Sequence, residues 1–391
     1  MIRGWIPGFG RPSKETRHGD TQVLIDTKNK ICFIIDGACE EGATALINYL
    51  KRNGIKKVYL LLSHPHYDHA DGLRKIIKDN YFTVLAFYCY DPESLKGGLR
   101  NNKGSASVRE DIDYLNKIIS EAKSKKIPIK FLKHGDKVEL GDIKFKVYRE
   151  QPSRVEDDDT NGWSYVNDGS LCCYFYEWYY WTSGDGSERI WDFIKKLGIK
   201  VKFFKIPHHG NNCPRSQASG LKAQGADYCW YNQLEPNGVG TTEFTEFGAN
   251  RCKQAGIKVF ESVGDINFVV ANNRFLIYKS SKKYVFSVSY NANYTFKTTG
   301  IADVVRGVFM NKYSSNNARM TRLLDAGYEP IAIQNQVNLV INTAKKIIDG
   351  KANYGKNDQR IKNLDKEFGA GYGLLIQDEI NSLLNAKSKK W

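Results

Sequence analysis

The residues best suited to chemistry lie in one short segment, LLSHPHYDHADGL, which follows an apolar run. His64, His66, Asp68 and His69 fall within six residues there. Neutral imidazole is a preferred ligand of zinc, and a carboxylate can bridge two ions or complete a coordination shell. Burying such groups unpaired at the end of an apolar strand would cost free energy. The segment therefore predicts a transition-metal site.

The elements that must position this segment are those of a layered α/β domain. Up to about residue 290, short β-type runs alternate with runs that have apolar residues at helical spacing. The predicted strands cover residues 22–26, 31–36, 57–63, 81–90, 143–148, 171–182, 201–206, 258–261 and 267–278, and the predicted helices cover 43–53, 72–78, 107–125, 189–197 and 246–255. This alternation predicts an α/β fold class for the first three quarters of the chain.

The segment at residues 64–69 resembles the H-x-H-x-D-H signature of the metallo-β-lactamase superfamily. Three landmarks support the resemblance in the expected order: Asp36 ends an apolar strand, Asp185 follows the run CCYFYEWYYWTS, and His208 follows the run FFKIP. The resemblance covers most of residues 15–280. It implies an αββα sandwich, in which a site for one or two metals lies along one edge of the sheets.

The resemblance also implies two ligand sets that share one carboxylate. They are His64, His66 and Asp185 for one metal ion, and Asp68, His69, Asp185 and His208 for the other. The implied cofactor is Zn²⁺, as one or two ions, with Mn²⁺ as an alternative. A metal-bound water would be deprotonated near neutral pH, and the resulting hydroxide would attack phosphorus or a carbonyl carbon.

Asp68 and His209 are the candidate catalytic residues. Three roles stay open for His209: a group that supports the ligands, a donor to the substrate oxyanion, or the true ligand in place of His208. Asp36 could accept a hydrogen bond from a ligating imidazole, as carboxylates around metal sites commonly do. Its alternative role is a helix cap at the end of a strand.

Further stretches resemble the hydrolase domain of competence DNA-uptake channel proteins and related phosphodiesterases. They are RHGDTQVLID, NDGSLCCYF, the pair Gly184–Asp185, and PHHG. Many two-metal members have a histidine ligand before the bridging aspartate, but here that interval holds only His134, in a predicted turn. Asn167, Asp168 or water could complete the shell instead, and the number of metals stays open. His18 and Asp20 are interpreted as parts of a structural loop.

The chain after about Tyr294 shows a helical pattern that repeats. Two Ile-Gln…Asn blocks begin at Ile333 and Ile376, 43 residues apart, which predicts two copies of a short helical unit. The copies resemble the cell-wall-binding repeats of certain phage lysozymes. By that resemblance, the candidate wall-binding residues are Arg319, Tyr328, Arg360 and Tyr372. The alternative is that these side chains cap and pack their own helices.

Length and composition agree with this division. With 391 residues, 58 Lys+Arg against 43 Asp+Glu and a net charge of +15, the chain is expected to fold and to attract anionic polymers. We expect a hydrolase domain at 1–295 and all-α repeats at 301–342 and 343–386. No transmembrane run and no signal peptide are visible. The cysteines, none in a C-x-x-C pair, are expected to be free thiols.

These observations predict a metal-dependent hydrolase, with phosphodiesters as the expected substrates, that its repeats target to bacterial cell wall. Its partners would be an anionic phosphodiester and peptidoglycan or another wall polymer, and a bacterial or phage origin is expected. The missing signal peptide leaves a cytoplasmic location as an alternative. A nuclease that acts on DNA is a second hypothesis. A wall-binding protein with a degenerate hydrolase domain is the third.

Overall fold

The computed structural model describes residues 1–9, 18–100, 105–149, 163–186, 194–210, 215–232, 234, 242–279, 282–289, 295–313 and 316–388. Its internal contacts divide the chain into two units. The first comprises Met1–Ser280 with Tyr284–Asn293, and the second comprises Ser281–Lys283 with Tyr294–Trp391. The first part of the predicted helix at 189–197 lies outside the described residues.

The larger sheet of the described chain has the strand order β16-β15-β14-β1-β2-β3-β4-β5-β6. Its strands are β1 (Ile2–Ile6), β2 (Thr21–Asp26), β3 (Ile31–Gly37), β4 (Lys57–Leu61), β5 (Thr83–Cys89), β6 (Ile129–Phe131), β14 (Ile266–Ala271), β15 (Arg274–Lys279) and β16 (Lys282–Ser287). Strands β3 to β6 are parallel. The predicted strand at 267–278 is in fact the antiparallel pair β14 and β15, because Asn272 and Asn273 adopt positive φ and turn the chain.

The second sheet has the order β13-β12-β11-β10-β9-β8-β7. Its strands are β7 (Lys137–Leu140), β8 (Ile143–Tyr148), β9 (Cys172–Phe175), β10 (Tyr180–Thr182), β11 (Phe203–Lys205), β12 (Tyr228–Tyr231) and β13 (Lys258–Glu261). The predicted strand at 171–182 is likewise two antiparallel strands, β9 and β10, which are joined through Tyr179 at positive φ. Strands β10 to β13 are parallel.

Helices accompany the strands of this unit. They are α1 (Glu40–Arg52), α2 (Tyr67–Lys78), α3 (Ser105–Ser124), α4 (Trp163–Asp168), α5 (Arg215–Ala223) and α6 (Thr242–Gln254), with short 3-10 helices at Pro92–Arg100 and His208–Gly210. Aromatic rings from both sheets share one core: the ring centroids of Phe33 on β3 and Phe145 on β8 lie 5.2 Å apart. The predicted α/β class with two packed sheets is confirmed.

Parallel strands bring the functional segments to common edges. Asp36 lies at the end of β3, His64 follows β4, and Tyr90 follows β5, so all three lie at the carboxyl end of the larger sheet. In the second sheet, Asp185 follows β10 and His208 follows β11. The topology therefore places two groups of polar residues at the carboxyl ends of parallel strands, where α/β sheets commonly bind ligands.

The second unit is helical. Its helices are α7 (Ile301–Phe309), α8 (Asn316–Asp325), α9 (Pro330–Ile348), α10 (Asn357–Phe368) and α11 (Tyr372–Ser388), and they share an apolar core that includes Val305, Leu364 and Ile376. Among the described residues, no helix is long and apolar enough to cross a membrane. The cysteines that the structure describes are buried.

Candidate metal centre

The most compact group of potential ligands consists of Asp20, His69, Asp185 and His209. One ligand atom from each lies within 4.8 Å of the others, and all four side chains are buried. Two carboxylates and two imidazoles suit a transition metal such as zinc better than magnesium or calcium, which prefer oxygen ligands. No other group of this kind occurs in the part of the chain that the structure describes.

His69 is oriented by the carboxylate of Asp36. Its Nδ1 atom lies 2.9 Å from Asp36 Oδ2, and Asp36 also accepts hydrogen bonds from Ser63 through both its backbone NH (2.8 Å) and its hydroxyl (2.9 Å). The opposite ring atom, Nε2, lies 3.2 Å from Asp185 Oδ1. A carboxylate behind the imidazole fixes the ring so that Nε2 faces the cluster.

His209 enters the cluster, whereas its neighbour His208 does not. The Nε2 atom of His209 lies 2.7 Å from Asp68 Oδ2 and 3.4 Å from Asp185 Oδ2. Both histidines adopt positive φ, at 51° and 52°, so the chain reverses sharply between β11 and Gly210. Of the three roles that stayed open for His209, the geometry favours that of a ligand, and the expected ligand His208 lies outside the compact group.

Asp185 is held by a close approach of the backbone. Gly184 has a φ of 53°, and a Cβ atom at this position would meet the Ser63 hydroxyl at 2.5 Å. The backbone NH of Asp185 donates to Ser170 Oγ at 3.4 Å. Only glycine fits this turn, which sets Asp185 between the segments that carry His69 and His209.

Asp20 is the site residue that the sequence interpretation missed, since it was assigned to a structural loop. Its backbone NH donates to the carbonyl of Asp68 at 3.0 Å, and its own carbonyl accepts from Ala38 at 2.8 Å. Gly19, at a φ of 73°, approaches the Asp68 backbone closely. The Gly-Asp pair directly before β2 does not by itself indicate a ligand, because the burial of this carboxylate depends on distant parts of the chain.

Lys205 places a buried positive charge against this cluster. Its Nζ atom lies 2.5 Å from Asp20 Oδ2 and 3.5 Å from Asp185 Oδ1, and it donates to the Gly184 carbonyl at 2.6 Å. The side chain is only 1% exposed. The ammonium therefore ties two candidate ligands together and offsets part of their repulsion.

The other predicted site residues surround the cluster. His64 Nε2 lies 3.1 Å from His66 Nδ1 and 3.8 Å from Asp185 Oδ2, so this pair approaches the cluster from one side. His66 also faces Asp111, at 3.6 Å. Asn167 and Asp168 end α4, and neither belongs to the compact group. His134 lies against Arg149 and Tyr148, away from the cluster.

A metal fits the residues present, because several buried atoms at the centre have no hydrogen-bond partner. They are Asp20 Oδ1, His69 Nε2, Asp185 Oδ1 and His209 Nδ1. Leaving such atoms unsatisfied is costly, and native structures seldom do so without a bound ion or water. The orphaned atoms belong to the same four residues whose ligand atoms converge, so these residues would hold the ion.

The charges of the cluster are strongly coupled. Burial lowers the pKa of His209, but the carboxylates of Asp185 and Asp20 outweigh this effect and raise the pKa to about 10. The pKa of His69 shifts in the same direction. Burial lowers it, but Asp185, Asp36 and Asp68 outweigh burial and raise it well above the usual range. Without a metal, both imidazoles therefore carry a proton at neutral pH.

Metal binding at pH 7 is expected to release about two protons per ion, because His69 and His209 must lose theirs to become ligands. Titration calorimetry in two buffers with different ionisation enthalpies measures this number. In the metal-free protein, protonated His209 stabilises the fold below its unfolded pKa of 6.5, and this stabilisation is lost as the pH rises through about 10. Metal binding without proton release would contradict the assignment.

Comparison with known proteins agrees with the geometry. Residues 18–153 match the family described as Metallo-beta-lactamase superfamily. These residues include Asp20, Asp36 and the whole H-x-H-x-D-H segment. The first unit therefore contains a metallo-β-lactamase superfamily domain. No curated protein matches the chain.

Two solved bacterial structures are similar to this chain at low identity. The metallo-beta-lactamase fold protein YhfI from Bacillus subtilis is 11% identical, with 68% of this chain and 99% of that chain covered, at a TM-score of 0.42. A protein of unknown function from Enterococcus faecalis V583 is 10% identical, with 67% of this chain and 69% of that chain covered, at a TM-score of 0.29.

Proposed function

We propose that this metallo-β-lactamase superfamily domain is a metal-dependent hydrolase that cleaves phosphodiesters. The observation that carries the proposal is the buried group of Asp20, His69, Asp185 and His209, whose ligand atoms converge and each of which has a buried polar atom without a hydrogen-bond partner. When bound there, a divalent ion would supply Lewis acidity and an activated water at neutral pH.

The chain's own residues keep the ligand atoms in place before substrate arrives. Asp36 holds His69, Lys205 holds Asp20, and Asp68 holds His209 by the contact of 2.7 Å. Burial raises the pKa of Asp68, but His69 and His209 outweigh it and keep the pKa well below its usual range. Asp68 therefore stays ionised and keeps its contact with His209. Such preorganised groups need not rearrange when charge develops on the substrate.

Phosphodiester substrates are supported by the likeness of the motifs to competence-type hydrolases and by the net charge of +15, which favours anionic substrates. The test is a panel of a bis(4-nitrophenyl) phosphate, a lactam and a thioester, offered to protein loaded with Zn²⁺ or Mn²⁺. We expect turnover of the phosphate diester alone, and its loss with chelator. Hydrolysis of only the lactam or the thioester would contradict the proposal.

A nuclease activity is the alternative within the same chemistry. Binding to DNA would neutralise many phosphates, so its affinity would fall steeply between about 50 and 200 mM salt. We would measure the rates of cleavage of linear DNA and of teichoic acid at these salt concentrations, and their comparison distinguishes the two substrate classes. Faster cleavage of DNA at equal phosphate concentration would favour the nuclease.

We also propose that the second unit is a two-site binding module for cell-wall polymer. The supporting observation is a duplicated hydrogen-bond chain from arginine to glutamine to asparagine: Arg319–Gln334–Asn338 at 3.1 and 3.0 Å, and Arg360–Gln377–Asn381 at 3.2 and 3.1 Å. The two candidate tyrosines differ, because Tyr372 is buried and bonds to Gln336, whereas Tyr328 is half-buried. Tyr328 donates instead to the carbonyl of Thr299, so only the arginines make the same contact in both copies, and we take them as the candidates for ligand contacts.

If both copies bind, Arg319→Gln and Arg360→Gln are each expected to weaken sedimentation with insoluble peptidoglycan about 10-fold, and the double variant about 100-fold or more, because linked sites reinforce each other. Lys366→Gln, at an exposed position of α10, is the matched loss of one positive charge. Binding that persists in the folded double variant would contradict the proposal.

A further inference from the structure

Arg149 is a buried cation of the first unit that the proposed chemistry has not yet used. It follows β8 directly and is 7% exposed. Its Nε donates to the carbonyl of Gly169 and its Nη1 to the hydroxyl of Ser94, both at 2.7 Å. The guanidinium carbon lies 4.2 Å from the centroid of the Tyr90 ring. Its remaining nitrogen, Nη2, is buried and has no hydrogen-bond partner.

Arg149 also lacks a direct ion pair in the described structure, although Asp91 acts on its charge from a greater distance. No carboxylate among the described residues forms an ion pair with it, whereas Arg74, elsewhere in the unit, pairs with both oxygens of Glu121 at 2.6 and 2.7 Å. A guanidinium stays protonated in proteins. Because burying an unpaired charge is strongly unfavourable, a site of this kind is suited to receive an anion.

Two further buried polar atoms near Arg149 are unpartnered. One is the hydroxyl of Tyr90, whose ring stacks on the guanidinium. The other is the side-chain oxygen of Asn167, which precedes by two residues in sequence the Gly169 whose carbonyl Arg149 binds. Tyr90 and Arg149 can each donate a hydrogen bond to a ligand oxygen. A free hydroxyl and a free guanidinium nitrogen provide a polar ligand with two donors.

The backbone links this group to the metal cluster. Ser170, next to Gly169, accepts the hydrogen bond from the backbone NH of Asp185, and Leu171 donates to the carbonyl of Ser63 at 2.9 Å. The segment that anchors Arg149 therefore also positions Asp185 and the residue before His64. One short segment, residues 169–171, therefore contacts both the Arg149 side chain and the backbone that carries the metal ligands.

We propose that Arg149 and the Tyr90 hydroxyl bind a non-bridging oxygen of a substrate phosphoryl group. The inference rests on the proposed hydrolase function, because the metal cluster would act on the same phosphoryl group. Charge-assisted hydrogen bonds from arginine suit phosphate oxygens. Asp111 lies between Tyr90 and the predicted ligand segment: its carboxylate acts on the Tyr90 hydroxyl and lies 3.6 Å from His66 Nε2. Arg149 and Tyr90 are binding residues and take no proton in the reaction.

Inorganic phosphate is the first probe, titrated by calorimetry into the chelator-treated full chain so that metal does not contribute. We expect Arg149→Gln to weaken phosphate binding about 10- to 100-fold and Tyr90→Phe about 3-fold. Arg74→Gln removes an arginine that is already paired, and its affinity should match the wild type. Equal weakening in Arg74→Gln would show a general charge effect and overturn the site.

Kinetics with metal-loaded protein and bis(4-nitrophenyl) phosphate form the second arm. Arg149→Gln should raise KM about 10-fold with little change in kcat, because it removes uniform binding. Turnover with unchanged KM and unchanged phosphate affinity would overturn the site but keep the hydrolase. Arginine-dependent phosphate binding without turnover of any diester would overturn the hydrolase but keep the phosphate site.

The phosphate site can be tested even if one of the variants does not fold. Arg149→Gln loses bonds to Gly169 and Ser94, so its melting temperature and circular dichroism must be compared with the wild type. Tyr90→Phe removes only a hydroxyl that has no partner, so the fold should be unaffected. If Arg149→Gln does not fold, phosphate affinity in Tyr90→Phe decides, and an unchanged value would overturn the proposal.

Discussion

Asp185→Asn is expected to weaken metal binding about 100-fold or more and to lower the hydrolytic rate about 1,000-fold. Asp185 has contacts with each part of the cluster: Oδ1 lies 3.2 Å from His69 Nε2, and Oδ2 lies 3.4 Å from His209 Nε2. Asparagine keeps the volume but removes the charge and one acceptor. Asp68 also approaches both imidazoles, at 3.6 Å from His69 Nε2 and 2.7 Å from His209 Nε2, but it does not belong to the compact group of ligand atoms.

The control for this variant is Asp227→Asn. Asp227 is a carboxylate outside the cluster that pairs with Lys202 at 2.8 Å and Lys222 at 2.9 Å. Because such partly exposed pairs contribute little and lie outside the cluster, metal content and turnover should be unchanged. Metal content of the purified proteins, measured by mass spectrometry, and turnover of the phosphate diester are the two readouts. Full metal content in a folded Asp185→Asn would exclude Asp185 as a ligand.

The H-x-H-x-D-H segment could be predicted because its chemistry is local. A strand, a turn and the first turn of α2 place Asp68 and His69 within a few residues of each other, and β4 supplies the apolar run before them. The α/β class follows from the same alternation. What the segment could not show is which imidazoles converge, since His64 and His66 contact each other while His69 faces Asp185.

Asp20 could not be assigned from its neighbours because its position depends on distant backbone. The hydrogen bonds to Asp68 and Ala38 hold it in the cluster, and the chain segments that meet there are far apart in sequence. The choice between His208 and His209 was equally hidden. Two successive residues at positive φ reverse the chain between them, and a motif that contains two adjacent histidines does not encode this reversal.

The predicted strand boundaries are wrong where two antiparallel strands are joined by a tight turn. The runs at 171–182 and 267–278 are rich in apolar and aromatic residues, so each resembles a single strand, although Tyr179 in one and Asn272 in the other turn the chain. Strand β1 was not predicted at all, because glycine and proline in MIRGWIPG indicate a turn, yet Ile2–Ile6 pairs between β2 and β14. Tertiary pairing therefore overrode local propensity.

Lys205→Met should destabilise the metal-free protein by about 3–5 kcal/mol, because the buried carboxylates of Asp20 and Asp185 would lose their compensating ammonium. The melting temperature should then fall by about 10 °C. Methionine keeps the length and the apolar stem of lysine, so packing against the strand is retained. Thermal denaturation in the presence of chelator measures the effect.

Saturation with a divalent ion should recover much of this loss, because the ion supplies positive charge to the same two carboxylates. Lys202→Met is the matched control, since Lys202 lies in the same segment but pairs at 2.8 Å with the half-buried Asp227, and its loss should cost less than about 1 kcal/mol. If the lysine serves only packing, the destabilisation would be the same with and without metal. A metal-dependent difference, present in Lys205→Met and absent in Lys202→Met, would instead establish that Lys205 balances the charge of the ligand cluster.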